Sequence, residues 1–242
     1  GYRMARELGH TIVEPHGSLV PLVSDDPCCG RMQGLALKNV QLSARNEKGK
    51  TVFSEFGEML FTHFGVSGPL VLSASAHLRE WDEHRYILSV DLKPALTEEK
   101  LEERLLRELR EQSNRNMENV LASLLPHSMI PVMCERLGIG PELKANSLKK
   151  EQRRALEHEL KHFDISVTGP RPVAEAIVTS GGVKVGEVNP NSMESKKVRG
   201  LFFAGEILDA DAYTGGFNLQ IAWSTGRAAG LAAAEKEGEE EI

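Results

Sequence analysis

The chain has 242 residues, 40% of them hydrophobic and 26% charged, with a formal net charge of −6. That length carries a core without disulfide or metal staples, and the acidic balance excludes the basic footprint of a nucleic-acid binder, so no nucleic-acid partner is expected. Cys28, Cys29 and Cys134 form neither a disulfide framework nor a CxxC metal spacing, and no apolar run approaches the roughly 18 residues of a membrane helix, so the expectation is a reduced, cytoplasmic protein with no metal and no membrane contact.

Arg3 to Leu8 reads as the end of a helix stopped by Gly9, and a chain that opens inside a helix without an initiator Met reads as truncated. Leu19 to Val23 is a short apolar run broken by Pro21, an edge strand at best. Leu37 to Arg45 alternates apolar and polar positions, Asn46 to Gly49 is a turn, and Thr51 to Phe56 resumes the extended pattern, which predicts a β-hairpin. Glu58 to Phe64 is a third extended segment. Ser67-Gly68-Pro69 then opens a helix, with Ser67 as N-cap, Pro69 in the first turn and the apolar face on Leu70 to Leu78. Tyr86 to Leu92 is another strand.

From Thr97 the period changes. Leu101, Leu105, Leu106 and Leu109 stand at helical spacing. Asn116 to Leu125, Ile130 to Leu137 and Lys149 to Phe163 add three short helices, punctuated by Pro126, Pro131 and Pro141. Strand character returns at Ile165 to Thr168, Ala176 to Thr179 and Gly200 to Ala204. Gly215-Gly216 opens a last helix to about Lys236, and the acidic tail from Glu237 to Ile242 is expected to fray. Strands, then helices, then strand–loop–helix indicate an α+β insertion rather than a simple βαβ repeat.

The most informative segment is Gly200 to Gly226. Leu201 to Ala204 is a continuous apolar run, as in a strand buried on both faces. It ends at Gly205-Glu206, and ligands of open α/β sheets bind beyond the carboxyl ends of such strands. Glu206, Asp209 and Asp211 therefore fall where a polyol could be held, since ionised carboxylates accept from hydroxyls. Thr214-Gly215-Gly216 follows, before a helix. Two glycines let a backbone approach a ligand closely, and a helix N-terminus offers free N–H groups and a positive dipole end. Taken alone, a Gly-Gly before a helix is equally a tight turn.

The whole string resembles the C-terminal FAD motif of the YhiN/BaiN-type, aminoacetone-oxidase-like family of bacterial FAD-dependent oxidoreductases. Gly205-Glu206, Leu208-Asp209, Asp211, Thr214-Gly215-Gly216, Phe217-Asn218 and Gln220 match it, and Ala212 departs from the usual glycine. Val178 to Val183 is similar to the family's VT-x-GGV turn, and Leu60 to Pro69 to its LFTH-x-G-x-SGP motif.

The resemblance implies an α+β / α/β fold: the C-terminal part of a Rossmann-like FAD-binding domain carrying a large insertion, part β-barrel-like and part helical. On that reading residues 1–18 end an N-terminal FAD-domain segment whose GxGxxG fingerprint is absent here, and Gly1 to Glu14 hold its last helix. Residues 19–167 are the inserted substrate-side domain, β-rich over 19–95 and helical over 96–164, and 168–242 form the C-terminal FAD-binding segment.

The resemblance also implies FAD as cofactor. Asp209, and behind it Glu206, would bond the ribityl hydroxyls, while Gly215, Gly216 and Phe217 would offer N–H groups to the flavin's pyrimidine edge. Thr179, Ser180, Gly181 and Gly182 would pass close to the ring, with Gly205 and Thr214 in the same binding set. Asn218 and Gln220 either touch the cofactor or support the helix behind it. His63 and Tyr213 are the candidate catalytic residues; a packed histidine and an aromatic wall are their bland alternatives, and Trp223 is expected in the core. The implied function is hydride transfer between flavin and a small organic substrate, with NAD(P)H-linked reduction of an activated C=C bond ahead of oxidation of a small amine. A non-catalytic flavin-binding or interaction protein is the reading from another class.

Overall fold

The computed structural model describes residues 1–79, 81 and 85–240, with the side chains of 236–240 left aside. Two compact units emerge, one formed by residues 1–20 with 171–242 and the other by residues 21–170. The first unit opens with α1 (Tyr2–Glu7) and β1 (Ile12–Ser18). A strand at 12–18 is not what the sequence predicts, because Glu14, Pro15 and Gly17 break any apolar alternation.

The second unit contains β2 (Leu22–Val23), α2 (Pro27–Arg31), β3 (Ala36–Asn46), β4 (Thr51–Thr62), β5 (Gly65–Ser67), α3 (Pro69–Ser75) and β6 (Tyr86–Asp91). A helical block follows, with α4 (Glu98–Glu111), α5 (Met117–Leu121), α6 (Ile130–Arg136) and α7 (Lys150–Lys161), and then β7 (Phe163–Val167) and β8 (Gly169–Pro170). The chain returns to the first unit with β9 (Val178–Val183) and α8 (Phe217–Glu240).

The strands of the second unit form one antiparallel sheet in the order β7-β6-β3-β4-β5-β2-β8. Its two ends, β7 and β8, are separated only by Thr168, whose N–H donates to Val23 O at 2.9 Å. A single bent strand thus pairs with β6 through its first half and with β2 through its second, and the sheet closes on itself as a barrel. Closure removes the unpaired edges that invite aggregation. β8 keeps residues 169 and 170 in the barrel, so the unit ends at 170 instead of 167, and it starts at 21 instead of 19.

Several local expectations change for physical reasons. The hairpin forms, but 58–62 continues β4 rather than making a separate strand, and the chain reverses at His63-Phe64 into β5. β2 is an internal strand paired on both sides, not an edge; Pro21 precedes it, so no ladder N–H is missing. The N-cap of α3 is Gly68, at φ 90°, and not Ser67, which belongs to β5. Buried positions on β3 change phase between Leu37 and Val40, where a bulge puts Asn39 at φ 57°. Leu42, Ala44, Phe61, Leu88, Val90, Phe163 and Ile165 then meet inside the barrel, all fully buried.

The helical block packs its own apolar stripe. Thr97 caps α4 by accepting from Lys100 N, Glu98 and Glu99 occupy the first turn, and Leu101 and Leu105 are buried. α7 buries Leu156 and Leu160 and packs against α4. Arg136, on α6, donates to Asp26, Glu159 and the Asp164 carbonyl. It is one of the polar ties between this block and the barrel, beside the Lys161–Asp91 and Arg31–Glu135 pairs.

In the first unit β1 and β9 pair antiparallel, so Val178 to Val183 is a strand and not a turn. The run 201–204 forms no strand beyond an isolated bridge at Phe202, because no described strand lies beside it. The last helix runs through Glu240, four residues past the expected end, and the remainder of the tail, 241–242, lies outside the described residues. Trp223 is 66% exposed, not in the core. Phe217, Leu219 and Leu231 of α8 are exposed too.

Glu187 joins the two segments of this unit. Its carboxylate accepts from Thr11 N at 2.9 Å and Thr11 Oγ1 at 2.7 Å and pairs with Lys197 Nζ at 2.8 Å. The Lys197 and Thr11 bonds pull its carboxyl down to about 2. A folded pKa below the unfolded one contributes stability that is present above the ordinary carboxylate range and lost as pH falls through the folded value. Wild-type protein is therefore expected to lose stability between about pH 4.5 and pH 2 through this group. Glu187→Gln should flatten that stretch in urea unfolding followed against pH; an identical profile would exclude Glu187 as a source.

Among the described residues no helix is long and apolar enough to cross a membrane.

Candidate functional site

A cavity of about 490 Å³ lies within the first unit. β9 supplies Val178 and Thr179 to its wall, the turn 205–207 supplies Gly205 and Glu206, and the loop before α8 supplies Tyr213 to Gly216. The first helical residues add Asn218, Leu219, Ile221 and Ala222, and Leu19 and Ile177 complete the apolar part. Apolar walls with a few polar groups converging on them are the usual character of a small-molecule or cofactor site.

The local chemistry follows from the backbone. Gly205 sits at φ 73° and donates its N–H to Thr225 Oγ1 on α8 at 2.9 Å, which fixes the turn against the helix. Glu206 Oε1 accepts from Thr179 N at 2.6 Å. Tyr2 Oη donates to the Glu206 carbonyl at 3.3 Å, and partial burial together with the Glu206 charge pushes its phenol up. The Asp209 N–H donates to Val183 O at 2.9 Å, and the structure gives its carboxylate no hydrogen bond to another described residue.

Gly215 and Gly216 lie at φ 108° and 90°, where L side chains are strained. A Cβ on Gly216 would meet nothing within 4 Å, so its glycine serves the backbone turn and leaves open space above it. The first residues of α8 have N–H groups without intrahelical acceptors, since the helical ladder starts with Gln220 N donating to Gly216 O at 3.0 Å. A 24-residue helix thus ends its positive dipole at the cavity wall.

Of the residues singled out from sequence, Thr179, Gly205, Glu206, Tyr213, Thr214, Gly215, Gly216 and Asn218 line this cavity. Ser180, Gly181, Gly182, Asp209 and Phe217 do not. Gly181 and Gly182 are glycines for another reason: a Cβ would stand 2.6 Å from Glu14 O on Gly181 and 2.4 Å from Ile207 O on Gly182. Asp211 is not a free polyol acceptor, because both of its oxygens are taken by serine hydroxyls. Asn218 is a clip: its Oδ1 accepts from Ala212 N at 2.9 Å and its Nδ2 donates to Ala212 O at 2.7 Å. Ala212 replaces the family's glycine without strain, since it is not among the residues with positive φ. His63 belongs to the other unit, in the turn between β4 and β5 with its ring 5.0 Å from that of Phe64, and is not among the residues lining this cavity. Leu19 and Ile177, which line the cavity, were not legible as site residues, since an apolar residue in a short extended run carries no site signal.

Among the described residues no group of three or more His, Cys, Asp and Glu stands together as a metal site.

Residues 16–178 match the family described as the HI0933-like protein barrel and H2TH domain. The chain is 33% identical over 225 residues to the ribosomal RNA dihydrouridine synthase of Escherichia coli, covering 93% of this chain and 54% of that protein. It is 30% identical over 233 residues to the ribosomal RNA dihydrouridine synthase of Haemophilus influenzae, covering 96% of this chain and 55% of the other. It is also 30% identical over 239 residues to the 3-dehydro-bile acid delta(4,6)-reductase of Clostridium scindens, covering 98% and 58%. The chain spans about half the length of the curated relatives it matches.

Proposed function

The chain belongs to the HI0933-like protein family, and from that premise we propose that it serves an FAD-dependent oxidoreductase that reduces an activated C=C bond with electrons from NAD(P)H. The observation that carries the reading is the Thr214–Gly216 loop, with two left-handed glycines and the N-terminus of α8 on the wall of an open cavity. The donor set fits a flavin. Backbone N–H groups of Gly215 and Gly216 suit its electron-rich pyrimidine edge, and the outer oxygen of Glu206 suits ribityl hydroxyls, whereas Asp209 and Phe217 stand outside this wall.

When bound, FAD supplies the two-electron chemistry that no side chain offers. The chain's own residues orient and shield. Leu19, Ile177, Val178 and Ile221 give the cavity apolar walls that exclude water, and Tyr213 brings a phenol O–H to the same wall as a proton source for the carbon that must be protonated.

The relatives' names support the reaction class from two directions. A dihydrouridine synthase and a delta(4,6)-reductase both saturate a C=C bond conjugated to a carbonyl, one in a nucleobase and one in a steroid-like ring. The acidic chain favours a small-molecule acceptor; the two relatives named for ribosomal RNA make uridine the second acceptor to test.

The experiment is anaerobic reduction of the purified full-length protein by NADH and by NADPH, followed in the visible flavin bands, with a conjugated steroid enone and ribosomal RNA as acceptors in separate arms. Reoxidation by either acceptor is expected. Hydrogen peroxide release with small amines, and no reduction by NAD(P)H, would replace this reading with an amine oxidase. Bound flavin that neither donor reduces and no amine reduces would leave a non-catalytic flavin binder.

A further inference from the structure

Three separate pieces of chain meet at one carboxylate. Ser18, the last residue of β1, donates its hydroxyl to Asp211 Oδ2 at 2.6 Å, and Ser180, inside β9, donates to Oδ1 at 2.8 Å. Both serines are buried and Asp211 is half-buried. Ser18 pairs with Val178 across the ladder and Ser180 with His16, so the two hydroxyls stand on the same face, two rungs apart. The carboxylate spans those rungs with one bond from each serine.

The next residue is held as well, by the Asn218 clip on both backbone groups of Ala212. Only Tyr213 to Gly216 lies between these anchors and the helix, and all four of those residues line the cavity. Asp211 itself does not.

We propose that Asp211 is the positioning residue of the cofactor-side loop: clasped by Ser18 and Ser180 and followed by the Asn218 clip, it fixes Tyr213–Gly216 in the conformation that lines the cavity. The proposal rests on the flavin reading above for what the loop binds. Its physical content is preorganisation. A loop with two left-handed glycines has many alternatives when free, and ordering it at the moment of binding would weaken affinity. The clasp meets that cost in the folded chain.

The test compares Asp211→Ala, Asp211→Asn and the double variant Ser18→Ala/Ser180→Ala in the full-length protein. Two readouts are taken, amide hydrogen exchange over residues 209–218 and the affinity of the deflavinated protein for added FAD. Asp211→Ala and the double variant should speed exchange across 212–218 and weaken FAD binding by about tenfold or more. Asp211→Asn should restore binding to within about threefold, because its amide still accepts from one serine and donates to the other, whose hydroxyl can also accept. Asp211→Asn behaving like Asp211→Ala would overturn the proposal in favour of a role for the charge. Wild-type affinity with unchanged exchange in Asp211→Ala would overturn it outright. If the wild-type protein takes up no FAD, the flavin reading fails by itself, and exchange still decides the clasp: unchanged rates at 212–218 in Asp211→Ala would rule it out.

Discussion

Gly182→Ala is expected to destabilise the unit formed by 1–20 and 171–242 by about 3 kcal/mol or more and to abolish flavin retention. Two effects add at this position. The residue sits at φ 128°, in a region that L side chains rarely adopt. Its added Cβ would also lie 2.4 Å from Ile207 O and 3.1 Å from Leu208 C, both backbone atoms that no rotamer change can move. Those atoms are held in turn by the parallel bridge between Val183 and Leu208 and by Asp209 N donating to Val183 O. Relief requires the turn 205–208 to part from β9, and that turn carries Gly205 and Glu206 into the cavity wall. Gly186→Ala is the control, since that glycine has neither positive φ nor any atom within 4 Å of a built Cβ, and should change stability by no more than about 0.5 kcal/mol. The midpoint of chemical unfolding and the flavin content of both variants measure the difference. Equal behaviour of the two would show that the crossing at Gly182 relaxes easily.

Residue 182 also shows what a single sequence reveals and what it hides. A glycine pair announces that something approaches the backbone closely; it does not announce whether that is a ligand or another piece of the same chain. The motif reading placed Gly181 and Gly182 beside a ring, whereas Glu14 and Ile207 explain them from within the chain. Thr214-Gly215-Gly216 was legible because three signals coincide there: glycines, a helix start and carboxylates upstream. The barrel hairpin was legible because Val40, Leu42 and Ala44 alternate with polar neighbours and the Asn46 to Gly49 turn follows them. β1 was not, because its sequence IVEPHGS has no period, and its strand state is imposed by pairing with β9 across more than 150 residues of chain. Trp223 was misplaced for a related reason. Apolar composition predicts burial only where something is present to bury the side chain, and α8 is covered by the described residues on part of its surface alone.

The second large effect belongs to the barrel unit. Arg136→Met is expected to destabilise residues 21–170 by about 3 kcal/mol. The guanidinium donates to Glu159 Oε2 and Asp26 Oδ2 at 3.1 Å each and to Asp164 O at 2.9 Å, and it lies 3.9 Å above the centroid of the Phe163 ring. The three ionised side chains are between 20% and 27% exposed, so solvent screens them only in part. Burial raises the Asp26 carboxyl, but the Cys28 N–H bond and Arg136 outweigh it and hold the group below its ordinary value. Removing the guanidinium leaves two half-buried carboxylates with no cation between them, and the loss from such a broken pair exceeds what the intact pair contributes.

The position of the hub explains why a charged residue is kept there. α5 and α6 have 5 and 7 residues, too short to be stable by themselves, and Arg136 fastens α6 to α7, to the N-cap of α2 and to β7 together. Arg136→Lys should recover less than half of the loss, because an ammonium cannot present the planar fork that reaches both carboxylates and the carbonyl. The triple variant Asp26→Asn/Glu159→Gln/Arg136→Met should be more stable than Arg136→Met alone, since it removes the stranded charges. Urea unfolding of the four proteins checks this. A triple variant no better than the single one would mean that the cation–π contact and the Asp164 carbonyl, and not the carboxylates, give Arg136 its weight.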